Sequence, residues 1–567
     1  MLSPRSFRGL AEEGLRLARA VPAETVRGIA LVAHDPLTAL STGFGVLRSG
    51  VIPPLRPDLI LRQLDAVRRE GPTLAGAVAA AAALDAGGVA VIDDSGMRTW
   101  AELDHDGRRL AAAFADLDVG AGDRVGLLCR NSAEFVECLL ALSRLGADAV
   151  LLNTGSGPEQ LARIVAAQRL RLIIADAEFA LPSLPAEVRV VTAWADGHRN
   201  GVRTLIRQTR SDRQVRRPTS VGRMIVLTSG TTGTPKGAAR PEPSTTAALL
   251  AVAGLLGCIP LRATTPTAIP APLFHAWGLG ALQLALTARC PVVLSRHFDP
   301  ARLAGLMSQH RVEQLFCVPV MLNRLLALPD HQVAAADLSA LRLIVTSGSA
   351  LSPASVRATA ARFGPVLHNL YGSTEVSWVS VAGPGDLAQD PGSAGRPPLG
   401  TRLTVLDPDG LPCPIGVSGR IFVGNSMLFD GYTDAAGVAT NADGLMPTGD
   451  FGHVDLRGRL HVDGREDDLV VCGGENVFCG EVTDVLSDVA GITDVAVVGV
   501  PDADLGQRLA AFVVTAAGST LTAEDIRAIV RERLARHAVP RDVTFLDELP
   551  RNAAGKVLAR VLRQDRD

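Results

Sequence analysis

The stretch Leu227–Gly237, LTSGTTGTPKG, follows the apolar run Met224–Leu227 and places hydroxyl groups, glycines and one lysine directly after a predicted strand. Glycine-rich loops after strands expose backbone N–H groups that bind anions, and hydroxyl groups add further donors. The spacing differs from the P-loop motif, in which a glycine precedes the lysine and Ser or Thr follows it. Here Pro235 precedes Lys236 and Gly237 follows it. The stretch therefore predicts a phosphate-binding loop of another kind.

Lysine is rare in this chain. The 567 residues contain 56 Lys and Arg together, but only Lys236 and Lys556 are lysines. A lysine is a compact point charge and an arginine is a planar fork, so the two do not replace each other where one geometry is required. Lys236 lies in the loop and Lys556 lies in LPRNAAGKVLAR near the end of the chain. Both lysines are therefore predicted to have required roles.

Length and composition bound the class of protein. A chain of 567 residues exceeds a usual single core, so at least two domains are expected. The hydrophobic fraction of 47% and the mean hydropathy of +0.22 indicate a globular protein. A net charge of −3 gives no general attraction to nucleic acid. The eight cysteines form no C-x-x-C pair and no zinc spacing, which predicts reduced, buried thiols.

The N-terminal region favours a cytoplasmic location. Residues 1–19 are charged throughout and lack the apolar core of a secretory signal, and we find no apolar run long enough to span a bilayer. Residues 28–54 are apolar with few charges. We interpret them as part of a helical cap on the main domain. Peripheral membrane contact and a homodimer stay open as alternatives.

Short apolar strands alternate with helical stretches through the first two thirds of the chain, which predicts parallel sheets. The segment Arg124–Cys129 reads as a strand, Asn131 and Glu134 as a capping box for the helix that ends at Gly146, and Ala149–Leu152 as the next strand. Further strands are expected at Arg171–Ala175, Met224–Leu227, Thr267–Ile269, Val292–Leu294 and Leu343–Val345.

After about residue 395 the pattern changes to short strands with tight turns, and a last region has strands and helices of its own. Strands are expected at Arg402–Leu406, Arg420–Val423, Arg459–Val462, Thr493–Val500 and Ala511–Val514, and a helix at Ala523–Leu534. We therefore expect an N-terminal helical extension (1–74), a large α/β body (75–464) and an α+β C-terminal lobe (465–567).

Two further motifs suit a nucleotide. NLYGSTE at residues 369–375 supplies an aromatic face for a base, a glycine for close approach and the carboxylate of Glu375, which suits Mg²⁺ when phosphates are near. PTGDFGHVD carries Asp450, an acceptor for ribose hydroxyls. Arg465 opens GREDDLVVCGGENV fifteen residues later.

The order TSGTTGTPKG, PLFHAWG, YGSTE, TGD, GREDD and PRNAAGK resembles the ANL superfamily of adenylate-forming enzymes, from about residue 75 to the end. This superfamily includes acyl-CoA synthetases, adenylation domains of peptide synthetases and luciferases. The resemblance implies an α/β body of several subdomains with parallel sheets and a small distorted β-barrel, followed by a mobile α+β C-terminal lobe. It also implies ATP, Mg²⁺ and CoA as cofactors.

The resemblance assigns roles to residues by their position in the motifs. It implies that the triphosphate is bound by Thr228, Ser229, Gly230, Thr231, Thr232, Gly233, Thr234 and Lys236. The nucleotide site includes Ser347, Gly348, Ser349, Asn369, Tyr371, Gly372, Ser373, Asp450, Val462 and Arg465. Thr374 corresponds to a phosphate contact, Glu375 to the Mg²⁺ ligand, His275 to a gate of the acyl channel, Asp467 to the hinge, Gly473 and Gly474 to the CoA segment, and Lys556 to the lysine that bridges carboxylate and α-phosphate.

Two segments, VLLNTGSGPEQLARIV and GRIFVGNSMLFDGYTD, resemble bacterial fatty-acid–CoA ligases. The strip Leu273–Leu282 is apolar, and Ala276 and Trp277 stand where amino-acid-activating relatives usually carry an aspartate. We therefore expect a medium- or long-chain fatty acid to be converted to acyl-AMP and then to acyl-CoA. The motifs depart from the common pattern at Ser347-Gly348-Ser349, where Gly-Gly-Ala is commoner, and at Ser377, where several relatives have glycine.

Three alternatives stay open. The first is a fatty acyl-AMP ligase that passes the acyl group to a carrier protein, and the second is a ligase for aryl or other carboxylates and CoA. The third is a non-catalytic nucleotide-binding protein, which the retention of Glu375 and Lys556 disfavours.

Overall fold

The structure, a computed structural model, describes residues 57–195, 201–209, 220–228, 236–239, 245–329, 336–429, 444–472, 475–502, 506–534, 536–552 and 555–564, with short pieces at 42–43, 45–46, 48–50, 215, 218, 331–332 and 431–432. The helices are α1 (Pro57–Glu70), α2 (Leu74–Leu84), α3 (Trp100–Asp116), α4 (Ala133–Leu145), α5 (Pro158–Gln168), α6 (Gly201–Gln208), α7 (Thr245–Cys258), α8 (Ala276–Thr287), α9 (Pro300–Gln309), α10 (Pro319–Leu326), α11 (Pro353–Phe363), α12 (Pro384–Gln389), α13 (Cys479–Ser487), α14 (Ala523–Arg533) and α15 (Ala559–Gln564). Short 3₁₀ helices occupy Glu466–Asp468 and Arg536–Ala538.

The strands, in chain order, are β1 (Val89–Asp93), β2 (Gly96–Thr99), β3 (Arg124–Leu128), β4 (Asp148–Leu151), β5 (Leu172–Ala175), β6 (Arg189–Thr192), β7 (Met224–Thr228), β8 (Lys236–Ala239), β9 (Thr267–Ala268), β10 (Val292–Val293), β11 (Gln314–Cys317), β12 (Leu343–Thr346), β13 (Leu367–Tyr371), β14 (Ser380–Ala382), β15 (Arg402–Leu406), β16 (Gly419–Gly424), β17 (Gly431–Tyr432), β18 (Met446–Val454), β19 (Leu460–Arg465), β20 (Leu469–Cys472), β21 (Glu475–Phe478), β22 (Ile492–Asp502), β23 (Gly506–Thr515) and β24 (Asp542–Phe545).

Two large sheets form the body. One has the order β14-β13-β12-β11-β9-β10-β1-β2, and the other has the order β17-β8-β7-β4-β3-β5-β6. In both sheets the central strands are parallel. The first sheet has an antiparallel pair at each edge, whereas the second has antiparallel pairs at the β17-β8-β7 edge and a parallel pair of β5 and β6 at the other. This arrangement confirms the α/β class predicted from the alternation of short apolar strands and helices.

At the place of the predicted small barrel, the structure has a four-stranded antiparallel sheet, β15-β16-β18-β19. A fourth sheet, with the order β21-β20-β23-β22 and β24 beside β23, belongs to the C-terminal part. Helices α13 and α14 pack on this last sheet through a separate core that includes Val482, Leu486, Ile526 and Val530. The C-terminal part therefore has a core of its own.

The start of α4 differs from the sequence prediction. Ser132, not Asn131, is the N-cap, since its side chain accepts the N–H of Phe135 at 3.3 Å. Asn131 instead donates to the carbonyls of Ile269 and Ala271 and accepts the N–H of Leu273. The capping-box prediction is therefore wrong, because this buried amide joins the end of β3 to the segment that leads to His275.

Glu134, the other half of the predicted capping box, is part of a buried ion cluster between α3, α4 and α6. The guanidinium of Arg203 contacts Glu134 and Glu137 at 2.8 Å each and Asp106 at 3.1 Å. Arg98 also lies 3.9 Å from Glu137, whose side chain is fully buried, so two guanidinium groups serve three carboxylates here. Burial raises the pKa of Glu137 to about 8, against the opposing charge of Arg203.

Glu137 should make stability depend on pH. Its carboxyl loses the proton near pH 4.5 when unfolded and only near pH 8 when folded. The folded state therefore binds more protons across this window, so the free energy of unfolding should fall as pH rises, by up to about 1.4 kcal/mol per pH unit. We expect Glu137→Gln, which resembles the neutral form, to flatten this slope in urea denaturation. Glu159→Gln, at an exposed position on α5, is the control, and identical slopes for both variants would contradict the assignment.

Candidate active site

The two ends of the glycine-rich loop are fixed side by side. Thr228 ends β7, Lys236 begins β8, and the two residues are cross-strand partners in an antiparallel pair. The sequence therefore leaves the sheet and returns to it at adjacent positions. The predicted phosphate contacts between these ends, Ser229, Gly230, Thr231, Thr232, Gly233 and Thr234, lie outside the described residues.

Tyr371, Asp450 and Arg465 come together although they are far apart in the chain. Tyr371 is the last residue of β13, and its hydroxyl donates to Oδ2 of Asp450 in β18. Oδ1 of Asp450 lies 3.6 Å from Nε of Arg465, which is its cross-strand partner in β19. The large body sheet and the small antiparallel sheet therefore meet at one carboxylate.

Burial and neighbouring charges shift the pKa values of Asp450 and Tyr371. Burial raises the pKa of Asp450 above its ordinary value, while the Tyr371 hydrogen bond and the positive charges of Arg465 and Lys556 act in the opposite direction. Burial also raises the pKa of the Tyr371 hydroxyl, and the adjacent Asp450 charge adds to that effect. Tyr371 is therefore a protonated donor at physiological pH.

Lys556 approaches this group from the C-terminal part of the chain. It is exposed and lies in a turn in which Asn552 and Lys556 exchange two hydrogen bonds of 2.9 Å. Gly555 has φ +80°, and a Cβ there would lie 2.3 Å from Cγ1 of Val320 at the start of α10. The turn thus packs against the body through a glycine, with the charge of Lys556 acting on Asp450.

The loop after β13 folds back tightly on itself. A Cβ on Gly372 would lie 2.3 Å from the carbonyl oxygen of Ser377, so only glycine fits. Ser377 has φ +66°, a backbone conformation that favours glycine, and its hydroxyl donates to the carbonyl of Met427 at 2.7 Å. Ser373 donates to Oε2 of Glu375 at 2.8 Å, so this turn concentrates oxygen atoms.

The other predicted nucleotide residues flank these groups. Ser347 is buried just after β12, while Gly348, with φ +97°, and Ser349 are exposed. Asn369 in β13 accepts a hydrogen bond from Thr346 at 3.3 Å. Val462 lies in β19, three residues before Arg465, and is 37% exposed.

His275 and Trp277 stand at the start of α8. His275 is the N-cap residue, and its Nε2 is buried without a hydrogen-bond partner among the described residues. Burial lowers the pKa of His275 to about 4, so the ring is neutral at physiological pH. Trp277 donates to the carbonyl of Cys317 at 2.9 Å and packs against Phe316. The entry to α8 is therefore aromatic and uncharged.

The segment between the small sheet and the C-terminal sheet is short. Arg465 ends β19, the 3₁₀ helix Glu466–Asp468 contains the predicted hinge Asp467, and β20 begins at Leu469. Gly473 and Gly474 lie outside the described residues, between the paired ends Cys472 and Glu475 of β20 and β21.

Comparison with known proteins identifies the family. The family model described as AMP-binding enzyme matches residues 78–433, and that of the AMP-binding enzyme C-terminal domain matches residues 481–556. The chain belongs to the AMP-binding enzymes.

Its relatives include CoA ligases for different acids. The chain is 34% identical to an indoleacetate–CoA ligase of Aromatoleum aromaticum, over 82% of this chain and 92% of that protein. It is 28% identical to the long-chain-fatty-acid–CoA ligase FadD13 of Mycobacterium tuberculosis, with the same coverage of both chains. A solved structure of the anthranilate CoA ligase AuaEII with anthranoyl-AMP has a TM-score of 0.77 and 25% identity, over 89% of this chain and 97% of that one.

One residue that supports the site of this AMP-binding enzyme was missed by sequence reasoning. Arg551 contacts both carboxylate oxygens of Asp494, at 2.9 and 2.8 Å, and donates to the carbonyl of Gly555 at 2.7 Å. It therefore holds the turn that carries Lys556. Its place within PRNAAGK was visible in the sequence, but its partner Asp494 lies 57 residues away and follows no local pattern.

Tyr371→Phe should weaken the binding of ATP. The change removes the hydroxyl that donates to Asp450 but keeps the aromatic ring. Loss of a hydrogen bond to a charged group costs about 1.5–3 kcal/mol, so we expect the KM for ATP to rise by at least ~10-fold. The KM for the acid should change much less. An unchanged KM for ATP in steady-state kinetics, with the melting temperature preserved, would show that this contact does not prepare the nucleotide site.

Proposed function

We propose that this AMP-forming CoA ligase activates a medium- or long-chain fatty acid in two steps, first to acyl-AMP with release of pyrophosphate and then to acyl-CoA with release of AMP. The observation that carries the proposal is the convergence of Tyr371, Asp450 and Arg465 with the charge of Lys556. These groups come from three separate parts of the chain. A second observation is that α8 begins with an uncharged aromatic entry.

The nucleotide is held by groups from both sheets. The Tyr371 ring stacks on the base, with Ser347, Gly348, Ser349, Asn369, Gly372 and Ser373 around it. Asp450 accepts ribose hydroxyls, with Val462 and Arg465 beside it. The Thr228–Lys236 loop receives the triphosphate. The buried carboxylate of Asp450 supports the ribose role, since it is prepared by a donor and a cation before ATP arrives.

Glu375 and its neighbours fit a magnesium ion. Mg²⁺ prefers oxygen ligands and usually combines one or two carboxylates with substrate phosphates. Glu375 supplies a carboxylate, and the hydroxyls of Ser373 and Thr374 lie in the same turn. Glu375 would therefore hold the ion and Thr374 would contact phosphate. When bound, Mg²⁺ neutralises charge on the pyrophosphate oxygens.

Lys556 would reduce the repulsion between the two anions that react in the first step. A carboxylate must attack the α-phosphorus of ATP, so two anions approach each other. Positioning and charge stabilisation supply most of the catalysis in such transfers. The ammonium group of Lys556 would lie between the carboxylate and the α-phosphate. Its exposed turn, held by Arg551, supports a role that depends on where the C-terminal lobe lies.

The second step requires the C-terminal lobe to move. We propose boundaries at residues 74/75 and 464/465, with Asp467 as the hinge, and Gly473 and Gly474 as the segment that meets CoA. The single short 3₁₀ segment between β19 and β20 supports this division. A cytoplasmic location also stays a prediction, and among the described residues no helix is both long and apolar enough to cross a membrane.

The acid site is proposed beside α8. The strip Leu273–Leu282 carries no charged side chain, and His275 is neutral because burial lowers its pKa to about 4. A Cβ on Gly280 would meet no heavy atom within 4 Å, so this side of the helix has space. An uncharged, spacious wall supports an apolar tail, with His275 as the gate.

An aromatic acid is the second candidate. The indoleacetate–CoA ligase of Aromatoleum aromaticum and a feruloyl-CoA synthase of Amycolatopsis are 34% and 33% identical to this chain, more than the fatty-acid ligase at 28%. Trp277 and Phe316, which are in ring contact, would also pack against a flat substrate.

Lys556→Ala should affect the two steps unequally. We expect acyl-AMP formation to fall by at least ~10²-fold, the scale for loss of one preorganised charge contact. Thioester formation from supplied acyl-AMP and CoA should survive. Lys556→Arg should also fail in the first step, because the planar fork does not reproduce a point charge. Equal loss of both half-reactions in rapid-quench measurements would mean that Lys556 does not act selectively on the first.

A panel of acids with and without CoA tests the proposed function. Each buried CH₂ contributes about 0.8 kcal/mol, so activity should rise with chain length over part of the series if the tail is alkyl. Pyrophosphate release and thioester formation should be followed for fatty acids, indoleacetate, ferulate and benzoate. A flat alkyl series with preference for an aromatic acid would favour the second candidate. Acyl-AMP without acyl-CoA would instead favour transfer to a carrier protein.

A further inference from the structure

Apart from the ion pair of Arg420 with Glu466 next to the proposed hinge, three contacts among the described residues join the C-terminal lobe to the body. The turn of Gly555 packs on Val320 at the start of α10. Phe478, at the end of β21, packs on Gly464 and lies 5.7 Å, between ring centroids, from Phe451. The third place is an ion pair of 2.6 Å between Arg357 in α11 and Asp488 at the end of α13.

The second and third contacts lie at the two ends of one helix. Phe478 directly precedes α13, and Asp488 directly follows it. A helix of 9 residues is about 14 Å long, so the ion pair is displaced by roughly that distance from the Phe478 contact. Gly464 is two residues before the 3₁₀ segment Glu466–Asp468, which places the Phe478 contact close to the proposed pivot. The ion pair is therefore the contact that opposes a turn of α13 about this point.

The position of Asp488 is unusual for the helix itself. Asp488 is the C-cap of α13, where the partial negative charge of the helix end disfavours a carboxylate. Asp484 and Glu481 of the same helix, four and seven residues before Asp488, add further negative charge on the face that Asp488 shares. Nothing within α13 explains an acid at this position, whereas Arg357 across the domain interface does.

On the body side of the Arg357–Asp488 contact, α11 is hydrogen-bonded to α10. Ser355 in α11 donates to Oδ1 of Asn323 in α10 at 2.7 Å. The helix that carries Arg357 is therefore tied to the helix whose first turn receives Gly555. Arg357 and the seat of the Lys556 turn consequently belong to one surface of the body.

We propose that Arg357 and Asp488 are positioning residues for acyl-AMP formation, because their ion pair holds the C-terminal lobe in the orientation that brings Lys556 to the Asp450 site. Neither residue touches substrate. The inference rests on the proposed two-step function. An exposed ion pair is weak, with side chains 54% and 29% exposed here, so its effect is a shift in the population of lobe orientations and not an on–off change.

Charge reversal and a double swap test the proposal. Arg357→Asp and Asp488→Arg should each lower acyl-AMP formation by about threefold to tenfold, given the strength of exposed pairs and the added repulsion. Thioester formation from supplied acyl-AMP should be unchanged or faster. The double variant, which restores opposite charges, should recover most of the loss. The matched control is the exposed pair Arg189 and Asp118, 3.3 Å apart within the body, whose reversal should alter neither step.

The outcomes separate this inference from the proposed function. If the wild type forms no acyl-AMP with any acid, the proposed function fails. Hydrogen exchange with ATP present then still tests the ion pair, since exchange in residues 466–469 and 555–558 should rise in each single variant and return to normal in the double swap. Equal loss of both half-reactions, no rescue by the double swap, or unchanged activity and exchange in the single variants would overturn the positioning role.

Discussion

The carboxylate of Asp450 is mostly buried. Burying a charge costs free energy, and the groups around Asp450 offset that cost. A buried charge is tolerated when donors and cations surround it. Here the donor comes from the large sheet through Tyr371, one cation comes from the adjacent strand through Arg465, and the other comes from the C-terminal lobe through Lys556. Three parts of the chain therefore stabilise the same buried negative charge.

The hairpin of β18 and β19 connects this carboxylate to the lobe. Its turn is fixed by Asp455, which accepts the N–H groups of Arg457 and Arg459 at 2.8 Å each. Along its length, His453 and His461 face each other across the strands with stacked rings 4.9 Å apart. Cross-strand contacts of this kind stabilise a pair of strands. The hairpin that carries Asp450 also carries Arg465 and leads directly into the 3₁₀ segment before the lobe. The proposed nucleotide contacts and the attachment of the lobe therefore belong to one element.

Local patterns in the sequence were sufficient for much of the fold and for the identity of the family. The strand at Arg402–Leu406 and the end of α4 at Gly146, with φ +69°, follow directly from periodicity and glycine chemistry. The same reasoning misplaced the N-cap of α4, because Asn131 and Ser132 are both good caps and only the distant carbonyl of Ile269 decides between them. Motifs assigned Tyr371 and Asp450 separately to the nucleotide site, but the hydrogen bond between them was not predicted, because it joins residues 79 apart and has no signature in spacing.

Because long-range packing leaves no local pattern, the sequence predicts the ATP chemistry of this enzyme better than the acid that it selects. Groups that act on ATP are polar, few and placed in short motifs, so their identities survive in the sequence. The proposed wall for the acid is apolar, so its selectivity would depend on shape, which arises from packing between α8 and strands such as β11. Leu, Phe and Trp side chains fit an alkyl chain or a flat ring almost equally well by composition. Because apolar burial is non-directional, discrimination between them at the proposed acid site would rest on the depth and width of the space beside Trp277 and Gly280, and not on any single donor or charge.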